Sequence, residues 1–212
     1  MFKRRDKRPF WRIAASIVYP RGGWARAFEY VKHRVRRLPD TPEKISRGIA
    51  AGVFTTFTPF YGFHFFIAAF LARTMRGNII ASLLATFFGN PLTYVPIAAT
   101  SLGTGYFLLG MRPDAELHQS LGKTFAGAGR DLWQNFTSLF TPEKADWHRL
   151  HVFYDEVFFP YMIGGILPGL IMGAIAYYLS VPVIAAYQNR RRKLLRAKLE
   201  QLGKKNGLTD DD

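Results

Sequence analysis

The side chains best placed to do chemistry sit in stretches that otherwise carry no charge. His64 falls in a run of 25 residues, Gly48 to Ala72, without Asp, Glu, Lys or Arg. It follows Pro59 and Gly62 in the segment Thr58-Pro59-Phe60-Tyr61-Gly62-Phe63-His64. Proline removes a backbone donor and glycine permits a reversal, so a helix should break here. Two roles fit the histidine. It offers a proton or hydrogen bond to a ligand, or it stays neutral on a carbonyl that the break sets free. A second break is written at Asn90-Pro91-Leu92-Thr93-Tyr94-Val95-Pro96. Asn90 and Thr93 have the spacing to cap a half-helix, with the hydroxyl of Thr86 nearby, and Asn78 is a further polar residue of the same kind. The alternative is that the broken ends offer backbone N–H groups to an anion. Arg73 and Arg76 lie between the two breaks, as partners for a phosphate or as snorkelling anchors of helix ends.

Other chemistries are excluded. The 212 residues include no cysteine, which removes disulfides, thiolate metal sites and cysteine nucleophiles. The uncharged runs hold no carboxylate pair, and the remaining acids have no catalytic spacing. Neither a Walker loop nor an H-E-x-x-H metal motif is present. His148 and His151 stand three apart with no third ligand pattern, so they read as an interfacial loop and no metal site is assigned. No catalytic residue and no cofactor is assigned, and a non-enzymatic protein is expected.

The elements that must position these residues are read from the charge pattern. The net charge is +14, with 49% apolar and 16% aromatic residues. A mean hydropathy of −0.02 conceals how the charges are segregated. Two more uncharged runs follow the first: Gly77 to Met111, 35 residues, and Val157 to Asn189, 33 residues. About 20 apolar residues suffice for a helix to cross a bilayer core. The expected fold is therefore an all-α integral membrane protein. It is a short helical bundle with proline- and glycine-broken or re-entrant helices and flanking amphipathic helices. Residues 1–40 form a basic cytoplasmic amphipathic segment, 41–190 the membrane domain and 191–212 a charged cytoplasmic tail. Within the membrane domain the apolar runs are 48–72, 77–111 and 157–189, with an extramembrane loop at 112–156. The first run starts too far along the chain for a signal peptide.

Residues 1–47 hold 14 Lys+Arg against four acids, and residues 189–212 hold eight Lys+Arg, while 112–160 holds five against seven acids. The positive-inside rule puts both termini in the cytoplasm and 112–160 on the opposite side, so the number of crossings is even. Two layouts compete. In one, 77–111 folds as two short spans and the chain crosses four times. In the other, 48–72 is a re-entrant hairpin and the chain crosses twice. The second is preferred, because it keeps Arg73 and Arg76 inside. Irregular backbone at membrane depth must in either case be sheltered by protein.

The flanks carry their own patterns. Met1–Arg8 is a basic arm. Trp24, Phe28, Val31, Val35 and Leu38 recur at helical spacing, opposite Arg26, Lys32, Arg34, Arg36 and Arg37. That is the pattern of a helix lying on anionic lipid, preferred here over nucleic acid. Thr41-Pro42-Glu43 is a helix start. The letters Thr-Pro-Glu-Lys return at 141–144, as a repeated capping signal or a worn inverted repeat. Phe125, Leu132, Trp133, Phe136, Leu139 and Phe140 share one helical face, as an interfacial helix or a lid. Gly165, Gly169 and Gly173 repeat every four residues, a spacing that lets helices approach closely, within the chain or in a homodimer. Tyr177, Tyr178 and Tyr187 approach the interface, and Arg190–Lys193 stop the span.

The set Gly52-Val53-Phe54, Pro59, Gly62, His64, Asn78 and Asn90-Pro91-Leu92-Thr93, in this order and led by Thr41-Pro42-Glu43-Lys44-Ile45, resembles the bacterial membrane family called domain of unknown function 2062. The resemblance spans roughly residues 41–190. It implies a small bacterial inner-membrane protein of unassigned activity, and carries over no catalytic residues. Relatives joined to glycosyltransferase domains point towards lipid-linked sugars or polyprenyl phosphates. The expectation is a protein that binds or moves an anionic lipid or small solute between the two breaks. Pro59, Gly62, His64, Arg73, Arg76, Asn78, Asn90, Pro91 and Thr93 are the candidate residues. The alternative is an assembly subunit that packs against a larger membrane complex. The expected partners are anionic membrane lipids, with a homodimer or larger complex as the further possibility and no nucleic acid.

Overall fold

The computed structural model describes residues 23–36, 38–111, 121–138 and 147–205. The basic arm, Arg37, Leu139, Phe140 and the second Thr-Pro-Glu-Lys lie outside the described residues. The regular structure described is all helical. In chain order it comprises α1 (Gly23–Arg36), α2 (Pro42–Thr55), α3 (His64–Thr74), α4 (Ile79–Ala85), α5 (Pro91–Leu109), α6 (Leu121–Ser138), α7 (His148–Phe153) and α8 (Phe159–Lys205).

Local chemistry sets the ends of the short helices. Thr41 caps α2 by accepting from the Lys44 N–H at 3.4 Å, and Pro42 fills the first turn. The helix closes on threonines. The hydroxyls of Thr55, Thr56 and Thr58 donate to the carbonyls of Ala51, Val53 and Thr55 at 2.8, 2.7 and 2.7 Å. These bonds engage carbonyls at the end of α2, just where the chain turns at Pro59 and Gly62 (φ 90°). Chain reversal places α3 beside α2. The link after α3 then comes back to where α2 began, and the Asn78 N–H donates to the Lys44 carbonyl at 2.8 Å. Next, α4 continues as a 3₁₀ turn, Thr86–Phe88, up to the break at Gly89-Asn90. From there α5 runs on to Gly110, which caps it in a left-handed conformation (φ 65°).

The 47-residue α8 is the spine of the bundle and packs against both α2 and α5. A Cβ on Gly165 would overlap the Phe57 carbonyl oxygen. At Gly169 it would meet the Phe54 ring at 3.1 Å, and at Gly173 the Ala50 carbonyl oxygen at 3.2 Å. The glycine row therefore faces α2 of the same chain. Gln188 Nε2 then donates to the Asp40 carbonyl at 2.9 Å, so α8 descends α2 in reverse. Pro168 and Pro182 lie inside α8 without ending it. The helix also continues past Arg190–Lys193 to Lys205, beyond the point where the sequence marks the end of the span. Its last residues are mostly strong helix formers, and charge does not stop a helix in water.

Among the described residues two helices are long and apolar enough to cross a membrane. One is Leu92–Leu109 within α5, and the other lies in the continuous helix His148–Gly203 that contains α8. His64–Thr74 and Ile79–Phe88 are apolar but shorter. An apolar core that includes Ile45, Phe57, Leu102, Val157 and Tyr161 is accompanied by buried small and hydroxyl-bearing residues and by a large exposed apolar surface. Ser46, Thr55, Thr56, Ala68, Ala72, Ala81, Ser82 and Ser101 are buried, whereas Phe66, Phe70 and Phe107 are 73%, 67% and 84% exposed.

Candidate site at the helix break

Four segments meet at the closed end of the α2–α3 hairpin: the Thr56–Phe63 turn and the first turns of α3, α5 and α8. His64 is buried there, 7% exposed. Its Nε2 lies 3.1 Å from the Thr58 carbonyl and its Nδ1 lies 3.3 Å from the Tyr94 hydroxyl. A carbonyl only accepts, so Nε2 carries the hydrogen and Nδ1 of the neutral ring accepts from Tyr94. Tyr61 and Tyr161 share a hydrogen bond at 2.9 Å. The Tyr61 ring centre lies 5.3 Å from Tyr94 and 4.9 Å from Phe125 of α6, both edge-on. The result is a cluster of one imidazole and three phenols joined by hydrogen bonds and ring contacts, roofed by Phe125. It offers hydrogen-bond donors and acceptors without a fixed charge.

The second break supports this cluster. Asn90 Oδ1 accepts from the Leu92 and Thr93 N–H groups at 3.0 and 3.2 Å. Thr93 Oγ1 in turn accepts from the Asn90 N–H at 2.9 Å and donates to the Phe88 carbonyl. This is a complete capping box, with Pro91 as the first residue of α5. It engages the first N–H groups of α5 internally. Pro59 is buried beneath the turn, Gly62 is exposed on it, and Gly89 packs close to Thr56 and the Tyr94 ring.

The remaining candidates stand at the opposite end of α3, about 16 Å away at 1.5 Å per residue. Asn78 caps α4 by accepting from the Ala81 N–H at 2.7 Å, and its Nδ2 donates to the Asp40 carboxylate. Lys44 Nζ donates to the same carboxylate at 2.8 Å. The Lys44 and Asn78 bonds hold the Asp40 carboxyl below its ordinary pKa. Arg73, in the last turn of α3, and Arg76, on the link, are exposed, and Arg47 donates to the Arg76 carbonyl at 3.2 Å. The structure thus brings Pro59, Gly62, His64, Asn90, Pro91 and Thr93 together and sets Arg73, Arg76 and Asn78 apart from them. His148 lies elsewhere, in a cleft of about 550 Å³ between α6 and α7, where Arg149 pairs with Asp131 at 3.3 Å.

Sequence reasoning missed Tyr61, Tyr94 and Tyr161. The first two lie inside the break motifs, and a tyrosine in an apolar run needs a partner for its hydroxyl. That signal was available. Tyr161 stands 100 residues from Tyr61, and nothing local announces the pairing.

Over residues 25–193 the chain matches the family described as an uncharacterized protein conserved in bacteria (DUF2062), and it belongs to that family. The match takes in α1 as well as the bundle. No curated protein matches the chain. No solved structure matches it either.

Proposed function

We propose that this chain is a non-enzymatic integral protein of the bacterial inner membrane. In this reading it binds or transports an anionic lipid, such as a polyprenyl phosphate, or a small solute where its broken helices meet. The observation that carries the membrane reading is the exposed apolar surface of the two long helices. A core helix of a soluble protein is mostly buried, yet only 33% and 17% of the two apolar windows are buried. Leu92, Phe107, Leu170 and Leu179 project outward from them. In lipid such side chains need no cover, and helices associate through small and hydroxyl-bearing residues.

The layout that fits has two crossings, α4–α5 and α8, with the α2–α3 hairpin entering and leaving on one side. The 11 residues of α3 rise about 16 Å, half of a hydrocarbon core of about 30 Å. The Met75–Asn78 link, Asp40 and Gln188 share one end of the bundle, and Arg190–Lys193 follow directly. By the positive-inside rule that end is cytoplasmic. The ligand reading rests on the Tyr61–His64–Tyr94–Tyr161 cluster, a concentration of polar atoms between helices whose outer faces are apolar. An assembly subunit would need another contact surface, since Gly165, Gly169 and Gly173 pack on α2.

The test is what accompanies the purified protein. Full-length wild type and His64→Ala are extracted in mild detergent, matched for helix content, and their bound molecules identified by mass spectrometry. An anionic lipid or solute that is held by wild type and lost from His64→Ala is the expected result. Identical bound material in both overturns the site.

A further inference from the structure

We propose that Arg47, Arg73 and Arg76 form a binding site for the phosphate of an anionic lipid headgroup, at the open end of the α2–α3 hairpin. The proposal rests on the membrane reading above but concerns a different end of the bundle from His64.

Three observations converge on it. First, a built turn holds the three residues next to one another. Arg47 donates from its guanidinium to the Arg76 carbonyl at 3.2 Å. Arg76 itself adopts φ 51°, unusual for a residue with a side chain, and its N–H donates to the Arg73 carbonyl at 3.2 Å. Gly77 seats this turn directly on α2, where an added Cβ would come within 2.7 Å of the Gly48 nitrogen. Second, the cations lack anions. Among the described residues none of the three arginines is in an ion pair, and Arg47 Nε is buried without a partner. The neighbouring carboxylate, Asp40, is occupied by Lys44 and Asn78. Glu43, one turn before Arg47, makes no ion pair either among the described residues. Guanidinium groups offer several donors in a fixed fork that matches phosphate oxygens. Third, the surface beside them is apolar. Phe70, Met75, Ile79 and Ile80 are 67%, 44%, 40% and 50% exposed. Cations bordering exposed apolar side chains fit a phosphate that carries acyl chains better than a free phosphate.

The experiment uses the full-length protein in mild non-ionic detergent, titrated with short-chain phosphatidylglycerol, short-chain phosphatidylcholine or inorganic phosphate. Native mass spectrometry counts the bound molecules. Phosphatidylglycerol should bind, with phosphatidylcholine and inorganic phosphate at least tenfold weaker. The double variant Arg73→Gln/Arg76→Gln leaves Arg47 and its backbone contact in place. It should weaken phosphatidylglycerol binding at least tenfold, at about fivefold per arginine. Arg190→Gln/Arg191→Gln removes two charges from the same end of the bundle and should change it less than threefold. Equal losses in the two double variants would mean diffuse surface charge and would overturn the site. So would unaltered binding in Arg73→Gln/Arg76→Gln, and so would inorganic phosphate binding as tightly as the lipid. A prior carbonate wash of membranes separates the two levels of the argument. Release of the protein sinks the membrane reading. Retention without phosphatidylglycerol binding sinks this site alone.

Discussion

The contact of Gly105 with the last helix makes a sharp prediction, because it has a control two residues away. At Gly105 of α5 an added Cβ would overlap the carbonyl oxygen of Pro160 and lie 2.6 Å from its carbon. These are backbone atoms of α8 and cannot rotate aside. Gly164 answers from the other helix, where a Cβ would stand 2.5 Å from Gly105 Cα. Gly103 on the same helix has nothing within 4 Å of the equivalent point. Gly105→Ala should lose about 1–3 kcal/mol to overpacking and regain about 1 kcal/mol of helix propensity. With backbone on both sides the overlap belongs at the upper end of that range, for a net loss of about 2 kcal/mol. Gly103→Ala keeps only the propensity gain of about 1 kcal/mol. At about 2–4 °C per kcal/mol for a chain of this size, Gly105→Ala should melt about 4–8 °C lower and Gly103→Ala about 2–4 °C higher. The assay is thermal unfolding of the detergent-solubilised protein followed by circular dichroism. If both variants shift alike, or if Gly105→Ala is silent, α5 and α8 do not touch as described.

Further outcomes follow from the caps and the buried cluster. Asn90→Ala removes the capping box of α5 and should cost about 1 kcal/mol, read in the same melting experiment. Asn78→Ala should cost more, because it removes both the α4 cap and the tie to Asp40. Asp40 has a folded pKa below its ordinary value of 3.8, so its contribution is present above that value and lost as the pH falls through the folded pKa. Stability measured against pH should drop on the acid side of about pH 4 in wild type, and Asp40→Asn should flatten that limb. Tyr161→Phe removes the partner of the Tyr61 hydroxyl, at about 0.6 kcal/mol for a hydrogen bond within a membrane bundle. A change as large as that of Gly105→Ala would mean that the cluster holds the bundle together as well as occupying its break.

The sequence made the skeleton legible because the signals were local. Thr41, Asn78 and Asn90 precede helices they could cap, and the structure has each accepting from an N–H in the first turn. Pro59 with Gly62, and Asn90 with Pro91, mark where the helices break. The second break as read in the sequence reaches Pro96, yet Pro96, like Pro168 and Pro182, lies inside a helix, which neighbouring helices support despite the missing donor. The charge step at Arg190 marks the end of an apolar run and says nothing of the helix itself, which propensity carries on to Lys205. The assignment of neighbours was least legible. The candidate residues lie close in sequence, yet α3 separates Arg73 and Arg76 from His64. The partners that complete each end, Tyr161 for Tyr61 and Gln188 for Asp40, come from the last helix. Contacts between residues 100 or more apart depend on how helices pack, and no spacing in the chain encodes them.

The central claim is that the α2–α3 hairpin returns to the side from which it started. The cysteine-free chain allows it to be tested by single-site labelling. One variant carries Thr74→Cys at the end of α3, and another carries Gln134→Cys on α6; both positions are exposed. Each is treated with a membrane-impermeant maleimide in intact cells and in inverted membrane vesicles. The account predicts that position 134 labels in intact cells and position 74 only in inverted vesicles. Labelling of position 74 in intact cells, together with position 134, would make residues 48–72 a full crossing and contradict the hairpin.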